Sequence, residues 1–256
     1  ASVAAQWGGF GFMIWRITRI WPGQLGRLIR PLAGARLPLW LDFAAYWQFF
    51  KLGRDIFIRT LLLIGCEALL LNEAAKMDDL ALATCQIMLS IFGLLAFAID
   101  GFAHAAEALV GEAIGRKSPT MLRIVIRRTN YLAGMMALLL SVLLWAGQPL
   151  ILSLMTSQPA LIAFADAYWP WVVSLPPASF LAFQMDGIFV GATCGTQMRN
   201  AMIIASASFA MAIFYLSFGL TGLMASFVGY LALRGLSLWW MIDHVHNKAK
   251  AVGIGD

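Results

Sequence analysis

Apolar runs of about 20 residues recur along this chain, and they restrict its possible structures more than any other feature. A helix needs about 20 apolar residues to cross a hydrocarbon core of roughly 30 Å. The clearest run, Leu80–Ile99, contains no formal charge. Of the 256 residues, 61% are hydrophobic and 12% are charged, whereas about 25% are charged in a soluble domain. Because the short alternating segments of a β-barrel are absent from the sequence, we predict an all-α polytopic membrane protein.

Seven stretches are predicted to span the membrane. They are Ala1–Trp15, Asp55–Ala75, Leu80–Ile99, Tyr131–Leu150, Trp169–Thr193, Ala201–Phe218 and Leu220–Ile242. The first is short for a span, and the chain begins with Ala rather than Met, so we expect the sequence to start inside a helix and to be a fragment. The predicted organisation is the end of a truncated helix (1–21), a cytoplasmic linker with an interfacial helix (22–52), a six-helix bundle (53–243) and a cytoplasmic tail (244–256).

The 18 Lys and Arg residues are concentrated in every second predicted loop. The segment 100–130 holds Arg116, Lys117, Arg123, Arg127 and Arg128, whereas the loop near residue 157 holds none. Cytoplasmic loops of membrane proteins carry an excess of Lys and Arg. We therefore predict that the basic loops and the C-terminus are cytoplasmic, and we interpret the net charge of +5 as a topology signal rather than a nucleic-acid surface.

Two segments have the composition of helices that lie on the membrane surface. Leu37–Phe50 is rich in aromatic residues and precedes a lysine, and Pro119–Thr129 carries three arginines at helical spacing. Both are predicted to be interfacial. Two glycine pairs, Gly111–Gly115 and Gly187–Gly191, have the spacing that allows two helices to approach closely.

Ionisable residues within the predicted spans are the candidates for function, because a charge at membrane depth is costly. Asp186 lies in a span that contains three prolines, and interrupted helices often border ion sites. We predict that Asp186 handles a cation or proton, with pairing to Arg234 or a hydroxyl as the structural alternative. Glu67 lies roughly 20 Å into its helix. It is a candidate for contact with a cation or substrate, but we favour an intramembrane hydrogen bond for it.

Three further ionisable residues follow the helical period. Asp100, His104 and Glu107 are spaced i, i+4 and i+7, which places them on one helix face. They are candidates for binding a cation, a proton or a substrate, but we favour a solvated cytoplasmic extension of the helix, because they lie near the membrane interface. Arg59 and Arg234 are predicted to have structural or pairing roles.

Other common sites are not expected. The three cysteines have no metal or redox spacing, so we predict buried thiols without a disulfide. They are Cys66, Cys85 and Cys194. His244 and His246 point to different sides of a helix, so no metal site is expected. Gly111–Ser118 lacks the spacing of a phosphate-binding P-loop, and no standard hydrolase signature is present.

Three motifs occur in a recognisable order on alternating spans. They are "RDIFIRTLLL" (Arg54–Leu63), "DGFAHAAEALVGEAIG" (Asp100–Gly115) and "QMDGIFVGATCGTQMRNAM" (Gln184–Met202). Together they resemble the C-terminal half of the multidrug and toxic compound extrusion (MATE) family, in its DinF-type branch. The resemblance covers nearly the whole chain, from the end of the sixth helix through the twelfth.

The resemblance implies a fold and an activity. It implies a twelve-helix antiporter of the bacterial inner membrane, built from two six-helix lobes, that exports organic compounds against inflowing H⁺ or Na⁺ without a further cofactor. Asp186 falls where the family has a tenth-helix carboxylate, and Glu67 lies one turn from the position, near Leu63, of a seventh-helix glutamate. The main coupling aspartate of this branch belongs to the first helix, which this chain does not contain. We therefore expect the chain alone not to transport, with the missing N-terminal lobe as its partner.

Three alternatives remain open at this stage. A related flippase for lipid-linked sugars is expected to line its cavity with more cationic residues than Arg59 and Arg234. An intramembrane enzyme would depend on the Asp100, His104 and Glu107 face, which lacks a recognisable nucleophile. A non-transporting membrane scaffold is the third. We favour the antiporter and do not expect an enzyme. The sequence leaves the exported compound, the coupling ion and the oligomeric state open.

Overall fold

The computed structural model describes residues 43–215 and 219–253, together with residues 7, 8, 11, 12, 15, 16 and 19, which are helical. Most of the predicted truncated helix (1–21), including most of the span Ala1–Trp15, lies outside the described residues, as do residues 22–42 of the predicted linker. The chain divides into two units, Ala1–Phe50 and Lys51–Asp256. The features described below belong to the second unit.

Residues 43–215 and 219–253 form eight helices. In chain order they are α1 (Phe43–Ala75), α2 (Asp79–Gly115), α3 (Pro119–Ala146), α4 (Gln148–Met155), α5 (Pro159–Gly191), α6 (Gly195–Tyr215), α7 (Gly219–Trp240) and α8 (Asp243–Gly253). Five helical segments in this part of the chain are long and apolar enough to cross a membrane: α2, α3, α5, α6 and Gly219–Ala249. The prediction of an all-α polytopic membrane protein is confirmed.

The predicted span Asp55–Ala75 lies within α1, which is not among those five segments. Its apolar stretch is interrupted by Arg59, Glu67 and Glu73. Each of these charges makes the segment less apolar than the five candidate spans. The structure therefore identifies five candidate spans where the sequence predicts six beyond the truncated first one.

Several predicted boundaries differ from the helix ends. The predicted interfacial segment Pro119–Thr129 is the first part of α3 rather than a separate helix. Helix α3 begins there because the Ser118 side chain caps it and a proline follows. The helix then ends at Ala146, before Leu150, since Gly147 forms the cap and a proline follows Gln148. Hydropathy locates the part of a helix inside the hydrocarbon, whereas capping residues locate its ends.

The ends of the other long helices also project beyond the predicted spans. Helix α2 continues from Ile99 to Gly115, and α5 begins at Pro159, ten residues before the predicted start at Trp169. The described part of the predicted interfacial helix, residues 43–50, is continuous with α1.

Helix α5 lies at the centre of the bundle, packed most closely against α2, α7 and α3. It remains one helix despite three internal prolines. A proline cannot donate a hydrogen bond to the carbonyl four residues earlier, so Pro177 leaves the carbonyl of Val173 without its helical donor. Ser141 of α3 donates its hydroxyl to that carbonyl at 2.9 Å. Thus a carbonyl released by proline joins α3 to α5.

Close packing of α5 on α2 depends on two glycines. A Cβ atom at Gly187 would clash with the backbone of Ala103, and one at Gly191 would clash with the backbone of Glu107. The prediction that the Gly187–Gly191 pair allows close helix approach is confirmed. This approach places the carboxyl end of α5 beside the face of α2 that carries the charged residues.

The apolar core has two parts. One is an aromatic group in which the ring of Phe227 lies 5.8 Å from those of Phe92 and Tyr230 and 6.0 Å from that of Phe209. The other surrounds Met185, Ile188 and Phe189 of α5, and includes Val245 and Ala249 of α8. The three cysteines are buried and free, as predicted.

Candidate functional site

Asp186 of α5 carries two ion pairs. Arg59 of α1 and Arg234 of α7 both donate to its Oδ2 atom. Asp186 is 7% exposed and Arg234 is 1% exposed, so these charges are held away from water. A buried ion is tolerated when a partner of opposite charge compensates for its lost hydration. The structure thus pairs Asp186 with Arg234, the arrangement that the sequence left open as a structural alternative.

The backbone of α7 brings Arg234 to this position. Its neighbour Gly235 packs against α5 so closely that an added Cβ atom would lie 2.8 Å from the nitrogen of Ala182. The guanidinium of Arg234 also lies 5.7 Å from the ring centroid of Phe183 on α5, within the range of a cation–π interaction. A small residue beside the arginine therefore allows α7 to reach the carboxylate.

A cleft of about 550 Å³ opens beside this ion-pair cluster. Its ionisable lining residues are Arg59, Glu67, Asp100, His104, Glu107 and Asp186, and its aromatic ones are Phe92, Phe97 and Phe183. Six of the seven residues singled out from the sequence thus line one cleft, and the seventh, Arg234, contacts it through Asp186. The prediction that Asp100, His104 and Glu107 share one helix face is confirmed.

The four carboxylates of the cleft differ in their partners. Asp186 has two arginines, and Glu107 lies 3.4 Å from Nδ1 of His104. Within the described residues, the side chains of Asp100 and Glu67 each lack a hydrogen-bond or ion-pair partner. Glu67 also borders a second cavity, of about 380 Å³. Two carboxylates of the cleft are therefore available to bind a proton, a cation or a ligand.

The formal charges leave the cleft acidic when His104 is neutral. Glu67, Asp100, Glu107 and Asp186 contribute four negative charges, and Arg59 and Arg234 contribute two positive ones. Aromatic faces and carboxylates together suit amphiphilic cations. Among the described residues, no group of three or more His, Cys, Asp or Glu side chains has the geometry of a metal site.

A second ion-pair cluster joins α1 to α6, and sequence reasoning missed it. Asp55 accepts hydrogen bonds from Arg199 Nη1 at 2.8 Å, Thr196 Oγ1 at 3.0 Å and Arg54 Nη2 at 3.0 Å. The Asp55 side chain is 3% exposed. Arg54 and Asp55 open the first of the three motifs, and Thr196 and Arg199 lie in the third. Nothing in the spacing of the two motifs indicates that these residues meet.

The chain resembles known proteins over most of its length. The MatE family model matches residues 56–216. DNA damage-inducible protein F of Escherichia coli (strain K12) is 37% identical over 188 residues, which cover 73% of this chain and 41% of that protein. Protein DETOXIFICATION 42 of Arabidopsis thaliana is 25% identical over 199 residues, which cover 77% of this chain and 39% of that protein.

A solved structure shares the fold. The crystal structure of the eukaryotic MATE transporter AtDTX14 superposes with a TM-score of 0.74 at 13% sequence identity, covering 82% of this chain and 49% of that one. The chain thus spans about two fifths of the length of these curated relatives and about half of the solved structure.

Proposed function

The chain belongs to the MatE family, and on that premise we propose that it is one lobe of a cation-coupled antiporter that exports organic compounds across the bacterial inner membrane. The observation that carries this proposal is the cleft, which gathers four carboxylates, two guanidiniums and three phenylalanines between helices of membrane-spanning length. Charged residues are rarely kept at membrane depth unless they serve transport or pair with one another. The coupling ion is H⁺ or Na⁺.

The proposed mechanism is alternating access. In carriers of this kind, one bundle rocks against another around a shared site near the middle of the membrane. A single lobe has no second surface to rock against. We therefore propose that the chain works with a second lobe of six helices, in keeping with its coverage of about two fifths of the curated relatives.

Each residue of the cleft has a proposed role. Asp186, with Arg59 and Arg234, holds α1, α5 and α7 together and keeps a charged group in the lobe interior. The carboxylates of Glu67 and Asp100 take part in binding the coupling cation or the substrate. His104 and Glu107, which are more exposed, provide a polar entrance from the cytoplasmic end.

The composition of the cleft weighs against the alternatives. A flippase that binds pyrophosphate needs cationic groups free to meet the ligand, whereas both arginines here are already on Asp186. The lining residues include no Ser, Thr, Cys, Lys or Tyr, so an enzyme would depend on a carboxylate or on His104 as its nucleophile. No observation favours a scaffold, which has no need of buried charge.

An efflux experiment tests the proposal. Cells that lack their own multidrug exporters would express this chain alone, this chain with the N-terminal lobe of a relative, or the product of an upstream in-frame extension if the DNA encodes one. We expect the two-lobe proteins to lower accumulation of a fluorescent cationic dye, with a dependence on external pH or Na⁺, and the single chain to have no effect. Dye efflux by the single chain in purified vesicles would contradict the need for a second lobe.

A further inference from the structure

Two carboxylates of the cleft are unequally supplied with positive charge. Both guanidiniums crowd the Oδ2 atom of Asp186, and its Oδ1 atom is buried without a hydrogen bond. Asp100 lines the same cleft and, within the described part of the chain, has neither a hydrogen bond nor an ion pair. One arginine is enough to neutralise the charge of Asp186. Asp186 therefore has one guanidinium more than it needs, whereas Asp100 has none.

The two arginines that pair with Asp186 differ in how tightly they are enclosed. The side chain of Arg234 is 2% exposed and is packed beside the ring of Phe183. The side chain of Arg59 is 19% exposed, lines the cleft, and has a buried Nε atom without a partner. Its helix, α1, packs on no other described helix as extensively as each of those helices packs on a neighbour. Arg59 is therefore the less enclosed member of the cluster.

The surroundings of Asp100 contain the charges needed for such an exchange. Arg59 and Glu67 face the cleft from α1, His104 and Glu107 from α2, and Asp186 from α5. Arg234 reaches it from α7 through Asp186. Of these groups, Arg59, Arg234, Asp186 and His104 act electrostatically on Asp100.

We propose that Asp100 binds the coupling proton in this lobe, and that the charge on Asp100 determines whether Arg59 pairs with Asp186 or with Asp100. This inference rests on the proposed transport function. When Asp100 is protonated, Arg59 pairs with Asp186, as in the structure. When the proton returns to the water of the cleft, the Asp100 carboxylate attracts Arg59, and Arg234 still neutralises Asp186. The step forms or breaks only the O–H bond of Asp100.

The same geometry favours a proton over Na⁺. The nearby guanidiniums of Arg59 and Arg234 disfavour any added cation at Asp100, but a hard metal cation also needs several oxygen ligands at once, as Ca²⁺ and Mg²⁺ do. A proton needs only one carboxylate oxygen. Exchange of Arg59 would transfer an attachment of α1 from α5 to α2, while Asp55, one turn earlier, keeps α1 on α6.

Labelling of carboxyl groups tests the proposal without requiring transport. The chain in lipid nanodiscs would be treated with an apolar carbodiimide, which reacts with protonated carboxyl groups, over a series of pH values, and adducts would be located by peptide mass spectrometry. We expect Asp100 to be modified at low pH and protected at high pH, with Asp186 unmodified throughout. Modification of Asp186 with none at Asp100 would overturn the proposal. So would protection of Asp100 by Na⁺ at constant pH, which would indicate a sodium site.

A double-mutant cycle tests the exchange of Arg59. Arg59→Gln should raise the pH midpoint of Asp100 labelling by about one unit, because an opposite charge that stabilises the carboxylate is lost, whereas Arg59→Lys should retain most of the effect. Asp186→Asn should lower the midpoint by releasing Arg59 to Asp100. If the two residues act through exchange, the effect of Asp186→Asn should largely disappear in the Arg59→Gln background.

An Asp186→Asn shift of equal size in both backgrounds would overturn the exchange, because it would show that Asp186 acts on Asp100 directly. Asp79→Asn, at an exposed aspartate that begins α2, is the matched control and should leave the midpoint unchanged. Labelling of the wild-type chain is informative even if a variant fails to fold. If Asp100 labelling depends on pH as expected but the two-lobe protein does not export dye, the proposed function fails while Asp100 still binds a proton. If the two-lobe protein exports dye but Asp100 is not labelled, only this inference fails.

Discussion

Asp55 of α1 and Arg199 of α6 are 144 residues apart in the chain, and their side chains meet at 2.8 Å. Arg59, one helical turn after Asp55, meets Asp186 of α5. Two ion pairs on successive turns thus attach α1 to two different helices. Ion pairs can break and re-form without repacking an apolar surface, so α1 is attached in a way that suits a moving element.

The Asp55 cluster should contribute measurably to stability. Asp55→Asn removes the charge that Arg199 and Arg54 share, and we expect the free energy of unfolding in detergent to fall by about 1.5–3 kcal/mol, the range for hydrogen bonds to charged groups. Glu73→Gln is the control, because its pair with Lys76 at 2.6 Å is exposed and should change stability by no more than about 0.5 kcal/mol. Equal effects of the two substitutions would contradict a special role for the buried cluster.

The buried pair of Asp186 and Arg234 predicts a compensating double substitution. Asp186→Asn leaves Arg234 buried without a counter-charge, which should lower the free energy of unfolding by about 3 kcal/mol. Adding Arg234→Met removes the uncompensated charge and should recover most of that loss. Thermal unfolding of the two variants measures this difference, and an additive loss would exclude direct pairing.

Asp186 also predicts an effect on transport. Because Asp186 and Asp100 compete for Arg59 in the proposed exchange, Asp186→Asn should weaken the pH dependence of efflux by the two-lobe protein, beyond any effect of lower abundance. Dye efflux normalised to the amount of protein in the membrane measures this. Unchanged proton-driven efflux would assign Asp186 a purely structural role.

Close approach of α5 and α2 predicts unequal costs for two glycine substitutions. Gly191→Ala should destabilise the chain by about 2 kcal/mol, because overpacking forces backbone shifts and the new Cβ atom would clash with the backbone of Glu107. At Gly101 of α2, a Cβ atom would meet nothing within 4 Å. Gly101→Ala should therefore be neutral or stabilising by up to about 1 kcal/mol, the helix propensity difference.

The sequence was sufficient for the local features of the site. The spacing of Asp100, His104 and Glu107 predicts one helix face, and the structure places all three on one cleft. The Gly187–Gly191 pair predicts close packing, which occurs. These features follow from the period of a single helix, so they do not depend on knowing how the helices are arranged.

The pairings between helices required the structure. Arg59 and Asp186 are 127 residues apart, and a single sequence contains no signal that selects Asp186 as the partner of Arg59. The same holds for Asp55 with Arg199. The end of the span Tyr131–Leu150 was misplaced because hydropathy was used in place of capping at Gly147, although that glycine is visible in the sequence.

Burial predicts low reactivity of the thiol in the turn between α5 and α6. Burial raises the pKa of Cys194, although the nearby Lys248 acts in the opposite direction. The thiolate is the reactive form, so at neutral pH Cys194 should react with a maleimide more slowly than an exposed cysteine does. Lys248 also donates to the hydroxyl and carbonyl oxygens of Thr193. Lys248→Met removes the positive charge that favours the Cys194 thiolate, so it should slow the labelling of Cys194 further, as measured by intact mass.

Topology gives the prediction that tests the proposed orientation of the whole chain. Arg116 and Met77 are both exposed and stand in turns at opposite ends of α2. If basic loops face the cytoplasm, a cysteine at Arg116→Cys should be protected from an impermeant maleimide added to intact cells and labelled after the membrane is opened. A cysteine at Met77→Cys should be labelled from outside. The three native cysteines are buried and provide a low background, which the unsubstituted chain measures. The reverse pattern would place the Asp55 cluster and the C-terminus outside the cell, and the proposed direction of transport would then have to be reversed.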